Sequence, residues 1–434
     1  MLFDGKKTKS FVLGYDLGDE VSQISYLASD ADMPETLSVL AGSELYNIPT
    51  TLCRRRDVNQ WFFGREAERK IQTEDVIPVL HLVEAARKGD KLEIAGMEYD
   101  PVALLTLFVK RSLSLLSMEM SMEHIEAVMF TTARLDSRMV EVLSALTDGL
   151  DLKTKQVFYQ SHEESMYYYM LYQPEELWTH MVMACDYNYG PLTLYSMTLN
   201  HNTKPVVVTV EKKIYDELDL AERKLPEEPE EKSHTMQLLD EAFLHIMTDN
   251  CNQKIVTSAF LLGDGFREKW MKHTLEYLCR TRRVFQGNNL FSKGASIAAR
   301  ERCTPSKIFE QYILLGEDKL RANVGINLVR QGVECYHALM DAGVNWYEAS
   351  AQVEFILESG NEIQFQTVSL GGGQPEVVTV VLDGMEERPD RTSRVKMTTD
   401  MVSISQIRVL VEDMGFGDIY PASGKVWTQT FDIQ

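Results

Sequence analysis

The chain has 434 residues, 44% of them hydrophobic, and its 44 Lys+Arg against 65 Asp+Glu give a net charge of −21. At roughly 100 to 200 residues per domain this length implies two or three domains with real cores and excludes wholesale disorder. The acid surplus repels phosphate backbones and anionic headgroups, and the strongest basic cluster, Arg54-Arg55-Arg56, is too short to reverse it, so neither nucleic acid nor a membrane surface is expected as a partner.

No stretch approaches 18 uninterrupted apolar residues, and the opening MLFDGKKTKS lacks the apolar core of a signal peptide, so membrane insertion is not expected and the protein reads as soluble and cytoplasmic. The six cysteines (Cys53, Cys185, Cys251, Cys279, Cys303, Cys335) form no C-x-x-C pair and read as reduced core residues. With no H-x-x-x-H or H-E-x-x-H either, a zinc site is not expected.

In chain order, Ser10 to Asp16 reads as a buried strand, broken at Gly18, with Ser22 to Ala28 as its hairpin partner. A short strand at Ile48 to Cys53 precedes a charged turn and WFFG, and Pro101 to Ser117 has proline at a helix start and helical apolar spacing. Strands at Glu126 to Thr131, Gln156 to Tyr159 and Thr179 to Asp186 alternate with helices at Asp136 to Leu146 and Glu163 to Tyr172, which is α/β patterning. Strands at Pro191 to Leu199 and Val206 to Val210 extend a sheet. Tyr215 to Ser233, with eight acidic and three basic residues and two prolines, reads as a solvated loop, or alternatively as an acidic docking tail for a basic partner. Helices at Met236 to Met247, Phe266 to Leu278 and Ser292 to Arg302 surround a strand at Ile255 to Leu262. From Tyr312 onward, alternating runs separated by Ser359-Gly360, Asp383-Gly384 and Ser423-Gly424 read as a β-sandwich, with Gly371-Gly372-Gly373 as a hairpin turn. In Glu412 to Gly424 the glycines read as turn residues and the aromatics as core, with an exposed peptide groove as the alternative.

Three strand ends carry acids and glycines in a recognisable order: Asp16-Leu17-Gly18, Asp186 with Gly190, and Gly263-Asp264-Gly265. This resembles the phosphate 1, phosphate 2 and adenosine motifs of the actin-like ATPases. The intervening segments resemble the DnaK-type heat-shock chaperones: IPTTLCRRRDVNQWFFGREAERK, the helix PVALLTLFVKRSLSLL before EHIEAVMFTTARLDSRMVE, VFYQSHEESMYYYMLY in the place of the first connecting helix, and LFSKGASIAAR in that of the second. The resemblance implies a two-lobed actin-like ATPase (ribonuclease-H-like) fold over residues 1–305, its second lobe truncated around 200–255, and a β-sandwich over 306–434 like the chaperone substrate domain. It further implies ATP or ADP with Mg2+ held near Asp16, Gly18, Asp186, Gly190, Gly263, Asp264 and Gly265, with Asp16 and Asp186 as magnesium acids and Glu163 orienting the attacking water.

The residues depart from that pattern at the phosphate loops. Asp19 and Glu20 stand where small hydroxyl residues are usual, and a carboxylate about 4 Å from a phosphate charge costs on the order of 4 kcal/mol at an effective dielectric near 20. Tyr187-Asn188-Tyr189 and Pro191 replace a glycine run, which removes close backbone approach. Arg87 and Lys88 are the only basic candidates found near the site, in a polar helix-end context. The expected function is a divergent chaperone-like protein with weak or lost hydrolysis, acting on a protein or peptide partner. The alternatives are a slow Mg-ATP-dependent ATPase gating the β-domain, a filament or scaffold subunit, and a chain whose acids and glycines are only turn residues, with no cofactor.

Overall fold

The computed structural model describes every residue except 1–8, 41, 119, 155, 189, 219–227, 288, 370–373 and 434, with backbone alone at 118. The triple glycine 371–373 and Tyr189 thus lie outside the described residues, as does the middle of the acidic segment. Two compact units emerge, Met1–Leu314 and Leu315–Gln434. The division falls after the expected residue 305 because the strand Tyr312–Leu315 joins a sheet of the first unit.

The first unit is mixed α/β. One sheet takes β1 (Phe11–Leu17), β2 (Val21–Ala28), β3 (Glu35–Thr36), β4 (Ile125–Thr132) and β5 (Val157–Ser161) in the order β5-β4-β1-β2-β3. The strands β1 to β3 run antiparallel in succession, while β4 and β5 run parallel to β1. The other sheet takes β6 (Met181–Asp186), β7 (Leu192–Asn200), β8 (Val206–Tyr215), β9 (Val256–Leu262) and β10 (Arg283–Gly287) in the corresponding order β10-β9-β6-β7-β8, with the same directions, and β11 (Tyr312–Leu315) beyond β8. Continuous apolar runs such as Ala127 to Phe130 and Val182 to Cys185 are buried on both faces, as central parallel strands require.

The helices repeat as well. After α1 (Gly64–Thr73) and α2 (Leu82–Lys88), which flank a small sheet inserted in the first half, come α3 (Pro101–Ser114), α4 (Ser137–Leu150) and α5 (His162–Leu171). The second half has α6 (Pro229–Cys251), α7 (Lys272–Cys279) and α8 (Leu290–Cys303). Each half therefore reads three strands, helix, strand, helix, strand, helix. The closing helices are exchanged between halves. Met166, Tyr167, Met170 and Leu171 of α5 pack on the second sheet, whereas Ala295 and Ile297 to Ala299 of α8 pack on Val12, Leu27, Ala127 and Met129 of the first.

Local sequence explains most boundaries. Asp136 caps α4 by accepting from Met139 N at 3.0 Å, and Pro229 opens α6 with Glu230 and Glu231 in its first turn, where the helix dipole favours acids. The end of the acidic segment is thus helix, not loop. The helix expected from Phe266 starts only at Lys272, because Asp264–Phe266 forms a 3-10 turn and the indole of Trp270, buried, donates to Gly265 O at 2.9 Å.

In the second unit β12 (Ala322–Arg330), β13 (Val333–Met340), β14 (Ser350–Leu357), β15 (Glu362–Ser369), β16 (Glu376–Val381), β17 (Ser393–Ser403), β18 (Gln406–Asp413) and β19 (Val426–Asp432) form two antiparallel sheets, β13-β12-β15-β16 and β14-β17-β18-β19. Their apolar faces meet, with Phe365 and Phe431 centroids 5.3 Å apart. Asp413 organises the segment that follows it. Its carboxylate takes a bidentate pair from Arg388 at 3.0 and 2.8 Å and accepts from Gly415 N and Ser423 N. The loop tip is exposed: Phe416 is 42% and Ile419 81% accessible, so Phe416 is not the core aromatic expected there.

Two close contacts yield stability predictions. A Cβ on Gly294 of α8 would lie 2.0 Å from Ser165 O of α5, so Gly294→Ala should cost about 1–3 kcal/mol in urea denaturation. Gly287→Ala, which meets open space, should change stability by less than about 0.5 kcal/mol. For Asp413, burial raises the carboxyl pKa, but Arg388, Ser423 and the backbone N–H groups outweigh burial and hold it well below the usual range. That stabilisation is present above the ordinary carboxylate pKa near 4 and is lost as pH falls below it. Asp413→Asn should cost about 3–5 kcal/mol at pH 7, read by calorimetry, and flatten this acid limb.

Candidate functional site

Asp16 and Asp186 hold equivalent places, each near the end of the first strand of its half and paired with a parallel neighbour, Asp16 with Thr131 and Asp186 with Leu262. Two carboxylates at the ends of buried strands need compensation. The group that supplies it is His162, the first residue of α5. Ser161 caps this helix, accepting from Glu164 N at 3.3 Å, and the turn it starts aims the imidazole at Asp16. His162 Nε2 lies 2.8 Å from Asp16 Oδ1, Nδ1 lies 3.3 Å from the Tyr195 hydroxyl, and the ring stacks on Phe291 of α8 at 3.9 Å and 7°. A carboxylate only accepts, so Nε2 donates, and in the neutral ring Nδ1 accepts from Tyr195. Burial, with the charges of Glu163, Asp186 and Asp16, pushes the Tyr195 hydroxyl well above its ordinary pKa, which keeps it a donor.

Among the described residues no cation pairs directly with Asp186. Burial pushes its carboxyl up to about 6, with the imidazole of His162 opposing this, the Asp16 charge adding to it, and Lys212 and an Asn188 hydrogen bond of 2.6 Å opposing it further. Lys212 of β8 reaches from the second half to donate to Ala133 O just beyond β4.

The third motif packs onto the second hairpin. Gly263 has φ +98°, and a Cβ there would lie 2.5 Å from Tyr187 O and 2.7 Å from Asn188 Oδ1. Asp264 N donates to Asn188 Oδ1 and Gly265 N to Tyr187 O, at 3.1 and 2.8 Å. Within the first half Gln23 Nε2 donates to Asn47 Oδ1 at 2.6 Å, and Asn47 Nδ2 then donates across to Asp264 Oδ2 of the second half at 3.1 Å, where Arg267 pairs with Asp264 Oδ1 at 2.9 Å. These side chains stitch the two halves together beside the strand ends.

Several residues behave differently from expectation. Asp19 accepts from His81 Nδ1 at 2.7 Å and from Glu84 N at 3.0 Å, capping α2, and Glu20 also meets His81 at 3.2 Å. The basic group at the first hairpin is therefore His81, while Arg87 pairs with Asp136 and Lys88 with Glu84. Asp19, His81 and Glu84 bring one potential ligand atom each within 4.8 Å of one another, but they are solvent-facing and already joined as a helix cap. Tyr187 is fully buried among Phe266 and Trp270 in the core beneath α6. Gly18 is demanded by its own turn, since a Cβ would lie 2.3 Å from Val21 O, and Gly190 meets open space. The Oε2 of Glu163 is buried without a hydrogen-bond partner among the described residues. The residue missed in the sequence is His162, whose signal was the Ser-x-x-Glu pattern that fixes the start of α5 one position earlier than Glu163. Cys53, Cys185 and Cys251 are core as expected, Cys303 and Cys335 are partly buried, and Cys279 is exposed; all six are free thiols.

The family described as "Family of unknown function (DUF5716) C-terminal" matches residues 33–317, well over half of the chain. The chain belongs to that family. A second match, described as "Domain of unknown function (DUF8552)", covers residues 319–433, so the two matches divide the chain close to the structural boundary at Leu314. No curated protein matches the sequence. Among the described residues, no helix is long and apolar enough to cross a membrane.

The raised Asp186 pKa has a definite consequence. The folded chain binds this proton below about pH 6 and the unfolded chain only below about 4, so folding is disfavoured as pH rises through that window. Asp186→Asn should raise stability at pH 7.5 by on the order of 2–3 kcal/mol and leave it unchanged below pH 4, as measured by urea midpoints across pH.

Proposed function

We propose that the first unit is a two-lobed actin-like ATPase fold whose hydrolysis is weak or lost, and that the chain works as a divergent chaperone-like protein in the cytoplasm, through a protein or peptide partner. The duplicated strand–helix succession with exchanged closing helices supports the fold, and the free buried thiols suit a reducing compartment. The observation that carries the loss of hydrolysis is the His162 imidazole on Asp16. A carboxylate that is to hold hydrated Mg2+ needs its oxygens turned to the metal's waters, whereas Asp16 accepts from an imidazole locked against Phe291. Asp186 accepts from Asn188 and Asp264 from Asn47 and Arg267, so the three motif acids face protein donors. This donor set does not fit the hydrated ion. Partner binding is supported by a groove of about 1040 Å³ in the second unit, edged by Leu328, Val329, Phe355 and Ile356, with Val329 54% and Ile356 46% accessible.

One observation favours the slow ATPase instead. Glu163 Oε2, buried and unpartnered, is an acid held ready beside the cluster. A thermal-shift titration with Mg-ATP decides between them. Ligand at 100 times its dissociation constant would add about 2.7 kcal/mol, and no such shift is expected. A clear shift abolished in Asp16→Ala, with phosphate release abolished in Glu163→Gln, would overturn the proposal.

A further inference from the structure

In the small sheet inserted in the first half, the consecutive arginines Arg54, Arg55 and Arg56 meet different fates. Arg55 and Arg56 are exposed and have acids beside them, Glu74 at 3.6 Å and Asp75 at 2.6 Å. Arg54 is only 5% exposed, and its Nε and Nη1 are buried with no hydrogen-bond partner among the described residues. No carboxylate pairs with it among the described residues either.

The alternation of the strand Leu52–Arg55 sets this direction. Cys53 faces α1, its thiol 3.8 Å from Ala67 O, so Arg54 projects from the opposite face of the small sheet. Directly opposite Arg54 stand Trp61 and Ile77, and opposite Leu52 on the same face stand Phe63 and Val79. None of these side chains can accept a hydrogen bond in the way a carboxylate or carbonyl does. The charged group that does reach Trp61 is another cation: Arg111 of α3 donates from Nη1 to Trp61 O at 2.5 Å.

A lysine in such surroundings would shed its proton, but a guanidinium stays charged. A buried charge with no opposite charge destabilises the fold, and solvent does not reach two of the three nitrogens to relieve it. Nε belongs to one donor edge of the planar fork and Nη1 to the other, so the chain completes neither edge. We propose that Arg54 anchors a binding site for a small oxyanion of the phosphate or sulfate type. Such an ion brings both the missing negative charge and paired oxygens that match an edge of the fork. The near-complete enclosure of Arg54 selects for a small ion, and the apolar face around it strengthens the attraction. Arg54 belongs to a different sheet from Asp16 and Asp186, and the site does not rest on the ATPase reading.

The test unfolds the full chain in urea at increasing inorganic phosphate, with chloride making up the ionic strength. The wild-type midpoint should rise to a plateau, as a ligand of the folded state requires, above the non-saturating effect that phosphate has on any protein. Arg54→Met replaces the charge by an apolar side chain. It should lose the saturable rise and, in chloride alone, be at least as stable as the wild type. Arg54→Lys keeps a charge without the fork and should need about ten-fold more phosphate for half the rise. No saturable rise in the wild type, an equal rise in Arg54→Met, or an Arg54→Met chain less stable than the wild type in chloride overturns the proposal.

Discussion

The first unit depends on one close approach, the crossing of α5 and α8 at Gly294. With no side chain at that point, the helix lies almost on the Ser165 carbonyl; Gly14 of β1 permits the same intimacy beneath α8, where a Cβ would lie 2.2 Å from Ser292 O. These two glycines let each half cover the other's sheet with its own last helix. An exchange of that kind ties the halves together more firmly than a face-to-face contact, because neither sheet keeps its core if the crossing opens. It also fixes where the site can be. The N-terminus of α5 and the first turn of α8 are brought side by side, so His162 and Phe291 stack at the place where Asp16 and Asp186 end their strands.

Electrostatics then decides what that place can do. Like charges about 4 Å apart repel by on the order of 4 kcal/mol at an effective dielectric near 20, more than a typical hydrogen bond contributes, so a half-buried pair of carboxylates requires a donor from elsewhere. In a site adapted to a hydrated metal ion the ion would serve. Here the compensation is internal and unequal: Asp16 has the imidazole, whereas Asp186 has an amide and a more distant lysine, and only Asp186 is pushed up to about 6. The inequality follows from α5 beginning at His162, on the side of the first half, and not from any difference between the strands.

How much of this was legible in the sequence follows the range of each interaction. Buried strands such as Val182 to Cys185 and the proline and aspartate at helix starts are local signals, and they located β6, α3 and α4 within a few residues. The strand Arg283–Gly287 was missed because its residues are mostly exposed and carry no run of apolar side chains. The overestimated length of α7 has a tertiary cause, the indole of Trp270 drawn into the core. Site residues divide the same way. Asp16 and Asp186 were visible as acids ending strands, but that His162 and not Glu163 turns toward Asp16 depends on the helix phase set by Ser161, a matter of one residue.

The two halves also show what happens to a repeated motif when its loops take on different tasks. After Asp16 the chain continues Leu17-Gly18-Asp19-Glu20, and Asp19 turns outward to cap α2. After Asp186 it continues with Tyr187, whose ring goes into the core against Phe266 and Trp270 and so pins Asn188 in place. Asn188 then holds both Asp186 and the backbone of Asp264, filling the space that the absent side chain of Gly263 leaves open. The bulk of Tyr187 therefore tightens the hairpin against the third motif from below. The glycine at 263 remains necessary, but its close approach is to another loop of the same chain. The acids, glycines and donors of the second hairpin and the third motif thus satisfy one another.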